Sequence, residues 1–223
     1  TTASKSACPS PDDYMKSFEG ANNIVVVTIT GTLSGSYNSA EIAKKIYLEE
    51  HPDTKIHVID SLSAGGEVDL IVRKLNHLVA EGLDFDQVVD GITAYQAKTK
   101  LLFVLAKVDN LVKNGRLSKL VGTVVGLLNI RMVGEASKTG TLELLQKARG
   151  QKKAIKAAFD ELLKAGYAGG HITIAHRNNE KFIEQFSELV REKFAQASIE
   201  VLPTSGLCSF YAEEGGLLMG YEI

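Results

Sequence analysis

The run NIVVVTIT, residues 23–30, decides the fold of this chain. Its β-branched residues follow one another without strict alternation, which is typical of a strand buried on both faces of a parallel sheet. The run ends at Gly31, and after a polar loop the apolar spacing predicts a helix over residues 38–50, which Pro52 stops. The sequence therefore predicts a strand–loop–helix unit.

The same unit repeats directly afterwards. Residues 55–59 (KIHVI) predict a second buried strand, and the polar loop DSLSAGGE leads into a helix predicted over residues 68–81. A further helix is predicted over residues 84–98. This βαβα alternation favours a parallel, right-handed α/β sheet whose ligands bind at the carboxyl ends of the strands.

The alternation of strands and helices ends after residue 98, because helices no longer follow each strand. The strand KLLFVLA precedes short helical pieces, a strand–turn–strand segment, a strand ending at His176 and two closing strands. We expect an N-terminal parallel, doubly wound α/β domain over residues 1–97. A C-terminal α+β sandwich domain with a mixed or antiparallel sheet would follow over residues 98–223, with a ligand cleft between the two.

Composition excludes several classes of protein. The 223 residues carry 25 Lys and Arg against 27 Asp and Glu, for a formal net charge of -2. The basic excess that drives binding to nucleic acid is therefore missing, and we expect no such partner. The longest apolar run, over residues 117–130, is interrupted by polar residues and falls short of the ~20 that span a bilayer. We expect no stable membrane insertion.

The cysteines and histidines give no pattern of a disulfide framework or of a metal site. Cys8 and Cys208 are two hundred residues apart, which is neither a disulfide framework nor a metal-ligand spacing. The plain interpretation is a protein of the reducing cytoplasm. The five histidines form no HxxxH pair, so we predict no metal site. We also expect no nucleotide or other cofactor.

A hydroxyl-rich loop, TGTLSGSY over residues 30–37, joins the first strand to its helix. Free backbone N–H groups and the helix dipole favour an anion at such a position. The loop lacks the lysine of a P-loop, and Gly31 and Gly35 do not form a GxGxxG motif, so a nucleotide is poorly supported. The alternative is a helix start that a serine simply caps.

Two further polar turns, at residues 6–13 and 60–66, also precede predicted helices. Loops at the ends of parallel strands converge on one crevice. Neutral hydroxyls without a nearby lysine or metal ligand suit a small monoanion such as a carboxylate better than a polyphosphate. The other interpretation is that βα loops are rich in Ser and Gly in any case.

Four stretches resemble one family. They are KSACPSP (residues 5–11), LSGSYNSA (33–40), VIDS (58–61) and LVKNGRLS (111–118), and they are similar to signature stretches of the DegV family of bacterial fatty-acid-binding proteins. The resemblance covers nearly the whole chain. It implies two α/β domains that hold a long-chain fatty acid between them. It also implies no catalysis by the chain itself, which would present the acyl carboxylate to a separate ATP-dependent fatty acid kinase subunit to make acyl phosphate.

The resemblance also implies a set of binding residues. In the family, hydroxyls of a TSxPS turn and an SSxLSGTY loop hold the carboxylate together with a histidine near the C-terminus. Carried over to this sequence, the residues that bind the head group are Ser6, Ala7, Thr30, Gly31, Ser34 and Tyr211, of which Tyr211 stands about where the histidine would be. Supporting positions are Pro9, Ser10, Thr32, Leu33, Gly35, Ser36, Ser61 and Ser209.

The acyl tail needs an apolar tunnel. Candidates are the helix after Ser63 and the glycine-rich run over residues 120–130, although apolar residues at helical spacing usually pack a core. Arg116 and Arg131 lie in family-like stretches, where each would face either a kinase partner or solvent.

Two other functions stay open. One is a small-molecule hydrolase or transferase with Ser34 or Ser61 as nucleophile, although no GxSxG elbow surrounds either serine. The other is a non-catalytic interaction domain. Family members open with a strand carrying a TDSxxDL stretch, so we expect this sequence to lack an N-terminal portion that would complete the first sheet and line the site.

Overall fold

The computed structural model describes residues 4–117 and 129–223, and its first sheet contains two parallel strands. These are β1 (Asn23–Thr28) and β2 (Lys55–Asp60), paired in register along their whole length. Four helices accompany this sheet: α1 (Pro11–Phe18), α2 (Ser36–Glu50), α3 (Gly66–Ala80) and α4 (Phe85–Gln96).

Helices cover both faces of the first sheet. Ile24 and Val26 of β1 pack into a cluster built by α1 and α2, whereas Val25 and Val27 pack into a cluster built by α3 and α4. Because both faces are apolar, β1 needs hydrophobic residues at successive positions, which explains its lack of alternation. The predicted parallel, doubly wound arrangement is confirmed.

The second sheet has six strands in the order β5-β4-β3-β8-β6-β7. Only β6 and β7 pair in parallel, while the other neighbours are antiparallel, so the predicted mixed sheet is confirmed. The strands are β3 (Thr99–Leu105), β4 (Ile130–Ala136), β5 (Leu142–Arg149), β6 (His171–His176), β7 (Ser198–Pro203) and β8 (Leu217–Glu222).

The two faces of the second sheet differ in their cover. The helices α6 (Gln151–Lys164) and α7 (Glu180–Lys193) bury one face in a large aromatic and aliphatic core. The short helices α5 (Asp109–Lys113) and α8 (Gly206–Ala212) lie on the other face, in a smaller cluster around Phe103. This lightly covered face is the one that borders the cavity described below.

Helix α3 lies against both sheets. A Cβ atom placed on Gly66 would come within 2.1 Å of the carbonyl oxygen of Thr173 in β6, and one placed on Gly220 in β8 would come within 2.3 Å of Cα of Glu67. The backbone of the helix therefore touches the backbone of the second sheet. The change of sheet falls between α4 and β3, and the domain boundary at residues 97 and 98 stays a prediction.

Most predicted elements are present with ends shifted by a few residues. Sequence patterns predicted no helix at the position of α8, where the structure forms one over Gly206–Ala212. The predicted short helical pieces after Lys98 are represented by α5. Residues 120–128 of the glycine-rich tunnel candidate, which was predicted over residues 120–130, lie outside the described residues.

Candidate functional site

A cavity of about 400 Å³ opens between the loops of the first sheet and the lightly covered face of the second. The first part of the chain contributes the segment before α1 and the loop before α2. The second part contributes the face around Phe103 together with α5 and α8. The residues that line the cavity are Ser6, Ala7, Cys8, Pro9, Ile29, Leu33, Ser34, Gly35, Ser36, Ala64, Phe103, Leu105, Leu111, Arg116, Leu142, Leu207, Cys208, Tyr211, Ala212 and Leu218.

Hydroxyl groups gather at one end of this cavity. The Oγ of Ser6 and the phenolic oxygen of Tyr211 lie 2.8 Å apart, at hydrogen-bond distance. The Oγ atoms of Ser34 and Ser36 lie 2.9 Å apart, and the backbone N–H of Ser36 donates to Oγ of Ser34 at 3.2 Å. Within each pair one hydroxyl donates to the other, which leaves the second hydroxyl free to donate to a ligand, so this end of the cavity suits a carboxylate.

The N-terminus of α2 adds to this polarity. Its N-cap, Gly35, has no side chain that could bond the N–H groups of the first turn, of which that of Ser36 donates to Oγ of Ser34. Free N–H groups at a helix start, with the positive end of the dipole, favour a negative charge. The loop that delivers Ser34 is held by bonds from the N–H groups of Leu33 and Ser34 to the carbonyl of Thr30, both at 3.2 Å.

One guanidinium borders the same end. Arg116 Nε donates to the carbonyl oxygen of Leu33 at 3.2 Å, and its guanidinium carbon lies 6.0 Å from the ring centroid of Tyr211. That distance is at the outer limit of a cation–π contact. Arg116 therefore lies inside the cavity wall, where it ties the serine loop to α8 and adds a positive charge.

The rest of the cavity wall is apolar. Phe103 and Leu105 come from β3, Leu111 from α5, Leu142 from the start of β5 and Leu218 from β8. Phe103 lies against Gly134 of β4, where a Cβ would come within 2.3 Å of the ring. A chain of methylene groups fits this surface, whereas a polar group would lose its hydrogen bonds there.

Several of the residues predicted from the sequence do line the cavity. The structure brings together Ser6, Ala7, Pro9, Leu33, Ser34, Gly35, Ser36, Arg116 and Tyr211. Their role as ligands stays a prediction.

The Thr30 end of the loop lies elsewhere. Thr30 is buried, and its Oγ1 lies 3.0 Å from that of Thr32, which in turn donates to the carbonyl of Gly140 at 2.7 Å. The backbone N–H of Gly31 donates to the carboxylate of Asp60 at 3.1 and 3.2 Å. These three loop residues fasten the loop to its neighbours, and none of them lines the cavity.

Three predicted serines also have other partners. Ser10 caps α1, since its Oγ accepts from the N–H of Asp13 at 3.2 Å. The Oγ of Ser61 donates to the carbonyl of Ser63 at 3.2 Å, and that of Ser209 donates to the carbonyl of Thr204 at 2.9 Å. None of the three lines the cavity.

Arg131 is placed away from the cavity as well. Its Nε and Nη1 are buried without a hydrogen-bond partner among the described residues, and burial lowers the pKa of its guanidinium. The guanidinium lies near the turn at Gly215, where a Cβ would be 3.6 Å from Nη1.

Other lining residues were missed by sequence reasoning. Leu207, Cys208 and Ala212 belong to α8, whose only sequence signals are the polar Ser205 before it and a short apolar repeat. Ala64 belongs to the turn at residues 60–66 that the sequence predicts at the crevice, whereas Leu142 carries no signal, because tertiary packing alone brings its strand to the cavity.

A second cavity, of about 870 Å³, shares no lining residue with the first. Most of the residues that line it are polar or charged, and they include Ser61, Glu67 and Thr99. No histidine is among the described residues that line either cavity, so neither Ser34 nor Ser61 has a base of that kind beside it there. Among residues 4–117 and 129–223, no group of three or more His, Cys, Asp or Glu side chains is arranged to hold a metal ion.

The hydropathy of the helices bears on whether any of them could cross a bilayer. Within the part of the chain that the structure describes, no helix combines the length and apolar character needed to cross a bilayer.

Comparison with known proteins agrees with this architecture. The family model described as "Uncharacterised protein, DegV family" matches residues 1–221. A DegV domain-containing protein of Streptococcus pneumoniae is 79% identical over 221 residues, which cover 99% of this chain and 79% of that protein.

Solved structures extend the comparison. The Streptococcus pneumoniae Fatty Acid Kinase B3 protein loaded with linoleic acid has 78% identity and a TM-score of 0.98, covering 100% of this chain and 79% of its own. A DegV family protein from Eubacterium eligens loaded with heptadecanoic acid has 40% identity and a TM-score of 0.93, covering 97% and 78%. The family match spans nearly all of the sequence, and the chain belongs to the DegV family.

Proposed function

We propose that this chain binds a long-chain fatty acid in the 400 Å³ cavity, with the carboxylate at the hydroxyl end and the tail along the apolar wall. The observation that carries the proposal is the pair of hydroxyls of Ser6 and Tyr211, 2.8 Å apart at one end of an otherwise apolar cavity. Ser34 and Arg116 border the same end. The proposal rests on these four side chains, since Thr30 and Gly31 do not reach the cavity.

The tail and the head group of the ligand contribute differently to the free energy of binding. Burying ~15 methylenes at ~0.8 kcal/mol each gives on the order of 12 kcal/mol before ordering costs. A hydrogen bond to a charged group contributes about 1.5–3 kcal/mol. The apolar wall therefore supplies most of the affinity, while the hydroxyls fix which end of the ligand faces the loops.

Relatives support the same ligand class and a role for it. A protein with 78% identity is named as a fatty acid kinase component and was solved with linoleic acid, and a second relative was solved with heptadecanoic acid. The chain would then present its fatty acid to a separate ATP-dependent kinase subunit, in the cytoplasm, without a cofactor or catalysis of its own. Contact of that subunit with Arg116 or Arg131 stays a prediction: Arg116 lines the cavity, and Nε and Nη1 of Arg131 are buried.

Native mass spectrometry of the freshly purified protein tests the proposal. We expect a co-purifying mass of a fatty acid, and a loss of about tenfold or more in affinity when Ser6→Ala and Tyr211→Phe are combined. Ser17→Ala is the matched control, because it removes an exposed hydroxyl on α1 that does not line the cavity. A double variant that holds fatty acid as tightly as the control would contradict the assignment of the head group.

A further inference from the structure

The second cavity, of about 870 Å³, is built by both parts of the chain. The first part contributes the loop after β2 and the end of α4, and the second contributes the start of β3 and the hairpin between β4 and β5. Its volume is in the range of about 300–1,000 Å³ that sites for small molecules occupy. Because polar and charged side chains form most of its lining, a ligand of this cavity would be polar.

Charged side chains of both signs line this cavity. They are Glu67, Lys100, Glu135, Lys138 and Glu143. Within residues 4–117 and 129–223, none of the five takes part in a salt bridge. Glu135 and Glu143 stand directly opposite each other on β4 and β5, and like charges at such positions destabilise a sheet. A positive group of a ligand beside them would offset that repulsion.

Glu67 is the buried member of this set, with only 5% of its surface exposed. Thr99 donates to its Oε1 at 2.8 Å, and no described residue donates to its Oε2. Ser63 lies beside it, and the Oγ of Ser63 is buried without a hydrogen-bond partner among the described residues. Burial raises the pKa of the Glu67 carboxyl, and titratable groups with such shifts are concentrated at functional sites. A donor on a ligand would give the second carboxyl oxygen the partner that the described protein groups do not supply.

The two lysines add a second requirement. A diamine would be repelled by Lys100 and Lys138, and a dicarboxylate would be repelled by the three glutamates, whereas a ligand with charges of both signs pairs with both sets. We propose that this cavity binds a small zwitterion, a free amino acid, whose ammonium group faces the glutamates and whose carboxylate faces the lysines. The proposal does not rest on fatty acid binding, because the two cavities share no lining residue.

The test uses the full chain and the standard L-amino acids as probes. Saturation-transfer NMR identifies the amino acid that binds most strongly, and titration calorimetry measures its Kd, which we expect below about 1 mM. Its methyl ester lacks the carboxylate and its N-acetyl derivative lacks the ammonium group, so each should bind at least about tenfold more weakly. Glu67→Gln and Lys100→Gln should weaken binding of the parent amino acid by a similar factor. Glu49→Gln and Lys98→Gln are the matched controls, since both residues are exposed and line neither cavity.

Three results would overturn the inference. One is the absence of any amino acid that binds wild type with a Kd below about 1 mM. Another is a methyl ester or N-acetyl derivative that binds as tightly as its parent, because the cavity would then not recognise both charges. The third is unchanged affinity in Glu67→Gln and Lys100→Gln, each checked for folding by circular dichroism and thermal melting. A wild type that binds palmitate but no amino acid refutes this inference alone and leaves the proposed function intact.

Discussion

The hydroxyls of Ser6 and Tyr211 lie 2.8 Å apart, although 205 residues separate them in the sequence. The contact joins the segment before α1 to α8, so it closes one end of the cavity with groups from both ends of the chain. Arg116 lies beside the Tyr211 ring and also bonds the serine loop. The segment before α1, the serine loop and α8 therefore come together near Tyr211. The proposed function puts the ligand carboxylate beside these groups.

Changing Tyr211 to histidine should make fatty acid binding depend on pH. A tyrosine hydroxyl donates a hydrogen bond but does not become cationic near neutral pH, whereas histidine gains a proton near its ordinary pKa of about 6.5. We expect the affinity of Tyr211→His for palmitate to rise about fivefold between about pH 8 and about pH 5.5, since a cationic donor strengthens the bond by roughly 1 kcal/mol. Titration calorimetry at the two pH values measures this.

Tyr211→Phe serves as the control for that experiment. It removes the hydroxyl and introduces no titrating group, so its affinity should be lower than that of wild type at both pH values by a constant factor. A pH response of Tyr211→His no larger than that of Tyr211→Phe would show that residue 211 does not face the carboxylate.

A larger side chain at Ala64 should shorten the acyl chain that the cavity accepts. Ala64 lines the cavity and leads into α3. Leucine adds three carbon atoms, and displacing about two methylenes of the tail at ~0.8 kcal/mol each weakens binding roughly tenfold for long chains. Affinities for a series of saturated fatty acids should therefore drop for the longest members and stay unchanged for the shorter ones. Ala195→Leu, at an exposed site after α7, should leave the whole series unchanged.

Patterns local to the sequence predicted the first sheet well. The unbroken apolar run of β1 implied helices on both faces, and α1 to α4 are there. The reason is that the burial of a strand and the periodicity of a helix are determined by residues that are close together in the sequence. Helix α8 was missed because seven residues give a short periodic signal, and its stability comes from packing on the face around Phe103.

The candidate site was predictable only in part. Ser6, Ser34 and Tyr211 were identified through a resemblance of motifs, and the structure brings all three to one cavity. Nothing in the loop sequence distinguishes Ser34 from Thr30, yet Thr30 turns inward to Thr32. The inward orientation of Thr30 depends on the hairpin at Gly140, more than a hundred residues away, because the carbonyl of Gly140 accepts from Thr32.

Replacing Gly220 with alanine should destabilise the protein strongly. Its Cβ would come within 2.3 Å of Cα and the backbone nitrogen of Glu67, so either α3 or β8 must move. Overpacking of this kind costs about 1–3 kcal/mol, or more where backbone is involved. Urea denaturation measures the loss. Gly206→Ala is the matched control, since no atom lies within 4 Å of its added Cβ, and alanine in the first turn of α8 should stabilise by up to about 1 kcal/mol.

The buried carboxyl of Glu67 should make stability fall as pH rises. Burial raises the pKa of Glu67, against the hydrogen bond from Thr99, the nearby Ser63 side chain and the charge of Lys100, which lower it. The folded state therefore binds the proton more tightly than the unfolded state, and the stabilisation is full below the ordinary pKa and is lost as pH rises through the folded one. Glu67→Gln remains neutral and keeps an acceptor for Thr99. Its stability relative to wild type should rise between about pH 4 and about pH 8 in urea denaturation.

Asp13 provides a control of opposite sign for that measurement. Hydrogen bonds from the side chain and backbone of Ser10 lower the pKa of Asp13, so its contribution is present above the ordinary pKa and is lost as pH falls through the folded one. Asp13→Asn should therefore differ most from wild type at about pH 8 and least in acid, because protonation of the wild-type carboxyl removes the same bonds. If Glu67→Gln followed the trend of Asp13→Asn, the Glu67 carboxylate would be stabilised in the folded state, and burial would not be what governs its ionisation.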